Sequence, residues 1–80
     1  MVSKSIIEKL REIYQSLPKV ELVDKGDGWV NQYDFLRAVG KVGINYKNLG
    51  YDHFYEFLTD SGLFLFWTDF SGEKTYKVCN

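Results

Sequence analysis

Ile6, Leu10, Ile13, Tyr14 and Leu17 recur three and four residues apart and draw one apolar stripe, which predicts a helix over residues 5–17. Ser5 followed by Glu8 reads as a capping box, and Pro18 stops the helix. Val-Glu-Leu-Val at 20–23 alternates as a short strand would. Asp24-Lys25-Gly26-Asp27-Gly28 has the composition of a turn, and Trp29-Val30 then pack inward. A second helix is predicted over 32–39, with Asn31 as N-cap and Phe35, Leu36 and Val39 on its buried face. A third is predicted over 51–61, with Tyr51, Phe54, Tyr55 and Leu58 on one face and Gly62 as a left-handed cap. Asp52, Glu56 and Asp60 lie four apart on another face. Leu-Phe-Leu-Phe-Trp-Thr at 63–68 is the best strand in the sequence. It turns at 69–73 and pairs with 74–78 as a hairpin.

The order helix, short strand, helix, helix, hairpin is that of an α+β winged helix-turn-helix. In such a fold three helices make the core, the C-terminal hairpin is the wing, and the short strand after the first helix adds to the wing's edge. Eighty residues, 45% of them hydrophobic and 18% aromatic, suit one domain over 1–80 with a dense core. Cys79 has no second cysteine to pair with, so a reducing compartment, the cytoplasm, is expected. No apolar run is long enough to span a membrane, and Met-Val-Ser-Lys-Ser opens no signal peptide. The net charge of −1 removes the simplest electrostatic case for nucleic-acid binding, so a basic patch would have to be local.

The residues Gly28-Trp29-Val30, Phe35 to Gly40, Leu49 to Leu58 and Leu63-Phe64 resemble the LOTUS, or OST-type helix-turn-helix, family across about residues 29–66. That resemblance implies a winged-helix fold and an RNA-linked role, with some family members binding a protein such as a DEAD-box helicase instead. The acidic third helix departs from it, because Asp52, Glu56 and Asp60 would repel a phosphate backbone.

Arg37, Lys41 and Lys47, with Lys74 and Lys77 on the wing, are the candidate phosphate contacts, and Tyr46 is the candidate base-stacking ring. RNA binding is therefore the first expectation. The alternative is a protein-interaction domain using Asp52, Glu56 and Asp60 together with Phe64 and Phe66 from an exposed strand face. A degenerate calcium module is a third. With Asp27 and Gly28 at positions 5 and 6 of an EF-hand loop, Asn31 and Asp34 fall at 9 and 12, but Asp24 misses position 1 and the third ligand is absent. His53 and Cys79 alone make no zinc site. No nucleophile–base set and no phosphate loop is present. No catalysis, cofactor, metal or small-molecule substrate is expected, and the partner is RNA or a protein.

Overall fold

The computed structural model describes residues 2–79. Its elements are α1 (Lys4–Ser16), β1 (Val20–Leu22), β2 (Gly26–Asn31), α2 (Gln32–Lys41), α3 (Phe54–Asp60), β3 (Phe64–Thr68) and β4 (Lys74–Val78). The strands form one antiparallel sheet in the order β1-β2-β4-β3. The chain is α+β, but it is not a winged helix. The difference lies at 26–31, where turn-like composition conceals a strand. β2 pairs with β1 through its first half and with β4 through its second, at Val30↔Tyr76 and Asn31↔Thr75. The sheet is therefore not a wing beside three helices. Its inner face, carrying Val30, Phe64 and Tyr76, is itself part of the core.

Phe35 on α2 is the centre of that core. Its ring meets Phe64 edge-on at 5.2 Å between centroids, Phe54 at 5.8 Å and Tyr76 at 6.1 Å. Edge-to-face arrangements set the positive rim of one ring against the negative face of another. Leu10 and Ile13 bring the stripe of α1 onto the same cluster. Two polar ties bridge the layers. The Tyr14 hydroxyl donates to the Gly28 carbonyl, and the buried Tyr76 hydroxyl donates to Gln32 Oε1. Both satisfy groups that would be costly to bury unpaired.

Helix ends follow local chemistry. Ser3, not Ser5, caps α1, its Oγ accepting from the Ile6 amide. Leu17 is extended, as a residue before proline prefers to be. Asn31 caps α2 as expected, accepting from the Asp34 amide at 2.9 Å. Helix α3 starts three residues later than the sequence predicts. The Tyr51 amide donates back to the Tyr46 carbonyl, and Gly50 takes a left-handed φ of +98°. Asp52 is left outside the helix. Gly62 ends it in the left-handed conformation, as expected. No helix among the described residues is long and apolar enough to cross a membrane.

Candidate functional site

The two hairpin tips approach each other on the outer face of the sheet. Strand parity decides which side chains meet there. Phe64 and Phe66 turn inward, Phe66 stacking on Tyr55 of α3 at 5.5 Å. Leu65 and Trp67 therefore turn outward and remain about half exposed, at 47% and 45%.

The β3–β4 turn is fixed by one carboxylate. Asp69 Oδ1 accepts from the Ser71 amide, the Ser71 hydroxyl and the Glu73 amide at 2.9, 2.6 and 2.9 Å. The Ser71 hydroxyl, followed by the Glu73 amide, holds the Asp69 carboxyl below its ordinary pKa. Phe70 sits inside this hydrogen-bonded turn and is 96% exposed.

The β1–β2 turn is Val23-Asp24-Lys25. It is closed by the Lys25 amide on the Leu22 carbonyl at 3.1 Å, with Asp24 at a left-handed φ of +63°. The Trp29 indole N–H donates to the Lys25 carbonyl at 3.2 Å and ties this turn to the sheet. The Lys25 ammonium lies 3.8 Å from the centre of the Trp67 ring, a cation–π contact that links the two hairpins. Between them runs an open groove of about 610 Å³. Val23, Trp67 and Phe70 supply its apolar wall, and Glu21, Asp24 and Asp69 supply its carboxylates. Among the described residues that line it, Lys25 is the only cation. The turn at 69–73 is legible in the sequence, but the role of Phe70 is not. The available signal was a large aromatic among turn-forming residues, where nothing can cover it.

The residues expected to bind RNA are spread over several places. Arg37 and Lys41 line a shallow depression with Leu17, Pro18, Asp34 and Ala38, and the Arg37 guanidinium rests 5.5 Å from the Tyr33 ring. Tyr46 lines a different depression and is half-buried, its ring 5.6 Å from Phe54. Lys47 is exposed on the turn beyond it, its amide held by Asn45 Oδ1. Lys74 and Lys77 are half-buried on β4, and the stem of Lys77 crosses Gly28 closely.

Of the residues expected to serve a protein partner, Glu56 and Asp60 lie on α3, where Asp60 accepts from the Tyr51 hydroxyl. Asp52 precedes the helix, Phe64 is buried, and Phe66 is half-buried against Tyr55 and Tyr76. The residues aligned with a calcium loop lie on regular elements. Asp27 and Asn31 are in β2 and Asp34 is in the first turn of α2, so these residues form strand and helix rather than a looping cage. His53 stacks on Tyr55, and Cys79 is exposed. No cluster of three metal-ligating side chains occurs among the described residues. Comparison with known proteins adds no relative: no family model, no curated protein and no solved structure matches this chain.

Proposed function

We propose that this domain is a non-catalytic interaction module that holds a short segment of another protein in the groove between its two hairpin tips. The observation that carries the reading is Phe70, fully exposed on a hydrogen-bonded turn along one groove with Trp67 and Val23. Isolated exposed apolar residues are ordinary, but a large aromatic held out next to a second one, over a groove, marks a contact surface. Interface energy concentrates in such aromatic anchors.

Charge selects the segment. Three carboxylates face one ammonium, and that ammonium is already engaged by Trp67. The complementary occupant is an extended stretch with one large apolar side chain flanked by lysine or arginine. The same carboxylates oppose a phosphate backbone, and Tyr46 already has its ring against Phe54. Protein binding is therefore favoured over RNA.

Amide correlation spectra of the labelled domain test this. The probes are an acetylated nonapeptide of lysine and arginine around a central leucine, its glutamate counterpart, and a short single-stranded RNA. The cationic peptide is expected to shift signals from residues 21–25 and 67–71, and Phe70→Ser is expected to weaken it about tenfold or more. RNA-induced shifts at Arg37, Lys41 and Lys47, with none from either peptide, would replace this reading with the RNA one.

A further inference from the structure

β3 is an edge strand, bonded to β4 on one side only. Such an edge offers unpaired backbone groups to any other strand. Proteins ordinarily blunt it with a charge, a proline or a bulge. Phe64-Leu65-Phe66-Trp67-Thr68 has no charged residue and no proline, and its register with β4 runs without a shift. The opposite edge, β1, is three residues long, carries Glu21 and has an irregular register. Among the described residues, β3 is therefore the edge open to extension.

The direction of the backbone groups along β3 follows from its two ends. The Asp69 amide bonds across the hairpin to the Glu73 carbonyl, and the Cys79 amide bonds to the Leu63 carbonyl. Residues 63 and 69 thus direct their groups toward β4. Alternation along an antiparallel strand places 65 and 67 with them. Phe64, Phe66 and Thr68 direct their amides and carbonyls outward.

We infer that this edge is a homodimer interface in which β3 pairs antiparallel with β3 of a second copy about a twofold axis at Phe66. In that register Phe66 faces Phe66, and Phe64 faces Thr68 of the second copy. Every outward backbone group of the strand then has a partner, and the two sheets become one of eight strands. On the outer face, Leu65 comes opposite Trp67 of the second copy, twice by symmetry, as a cross-strand aliphatic–aromatic pair. Leu65 and Trp67 are the outward side chains that each copy leaves about half exposed. No two like charges meet along the seam, and a twofold contact of this kind closes on itself instead of growing into a fibre. A second copy thus satisfies symmetrically what an unrelated strand would have to match residue by residue. The interface uses the strand's edge and the peptide groove lies at the hairpin tips, so the two share Trp67 but not Val23 or Phe70.

Sedimentation equilibrium at concentrations up to about 1 mM, read beside amide hydrogen exchange, tests the proposal. The expected result is a monomer–dimer equilibrium in which the Phe64, Phe66 and Thr68 amides become protected as dimer forms. Leu65→Glu sets a carboxylate against Trp67 at two symmetric places and should raise the dissociation constant on the order of 100-fold. Thr68→Pro removes one outward amide without touching the β3–β4 ladder and should also weaken the dimer. Phe70→Ser should leave it unchanged, which keeps this test separate from that of the groove. A chain that stays monomeric throughout overturns the proposal. So does a dimer that survives both Leu65→Glu and Thr68→Pro, or one whose Phe64, Phe66 and Thr68 amides exchange freely.

Discussion

Phe35 and Phe70 are the same residue type in opposite circumstances, and replacing each in turn tests the assigned core. Phe35 is fully buried, with aromatic neighbours at 5.2, 5.8 and 6.1 Å, while Phe70 touches almost nothing. Phe35→Leu keeps most of the apolar volume but removes the ring that three neighbours share. Each edge-to-face pair adds about 0.5–1.5 kcal/mol beyond its buried area. The pairs share one ring and do not add in full, so the expected loss is about 2 kcal/mol. In a domain of this size each kcal/mol moves Tm by about 4–8 °C, which gives a fall of roughly 8–16 °C. Phe35→Ala also opens a cavity and should cost about 3–5 kcal/mol. That is a large part of the roughly 4–12 kcal/mol holding eighty residues folded. Phe70→Leu and Phe70→Ala should stay within about 0.5 kcal/mol of the parent. Urea unfolding followed by circular dichroism, with the slope checked for constancy, gives all four values. A loss below about 0.5 kcal/mol for Phe35→Leu, or an equal loss for Phe70→Ala, would show that the core is not centred where it has been placed.

Three further outcomes follow from the caps and titrating groups. Asn31→Ala removes the acceptor of the Asp34 amide and should cost about 1 kcal/mol in the same unfolding assay. Burial, with the nearby Tyr55, pushes the Tyr76 hydroxyl well above the ordinary tyrosine range. Its protonated form therefore stabilises the fold fully below about pH 10, and that contribution fades as pH rises above it. Spectrophotometric titration should show Tyr76 ionising late, and Tyr76→Phe should remove its share of the late phenolate absorbance. The depressed Asp69 carboxyl has the opposite sign. Its contribution is present above the ordinary aspartate pKa and fades as pH falls below it. Asp69→Asn should flatten the acid limb of the stability profile below about pH 4.

The helices were legible because their apolar spacing and caps are local: the α1 stripe, Asn31 before α2 and Gly62 after α3. The β3–β4 hairpin was legible for the same reason. β2 was not, since Gly26-Asp27-Gly28 reads as turn yet pairs with β1, and the end of β2 is held by β4 some 46 residues on, at Val30↔Tyr76. Parity along β3 was also hidden. Phe64 and Phe66 alternate with Leu65 and Trp67, and either set could face inward by composition. The choice is made at a distance, by Tyr55 stacking on Phe66 and by Phe35 against Phe64. The groove was missed because it joins residues 21–25 to 67–71, and no local pattern spans that interval.

The position of β4 has a consequence for how the chain reaches its fold. It is the last of the four strands to leave the ribosome, yet it lies between β2 and β3. Until it arrives, the β1–β2 hairpin and β3 each wait with an open side, and neither can pair properly with the other. Its insertion requires closing a loop of more than forty residues, which slows folding relative to the local hairpins and helices. Synthesis interrupted before Lys74 would leave two adhesive strands in one short polypeptide. Aggregation of such products, and their dependence on chaperones, should therefore change sharply over the last few codons of β4.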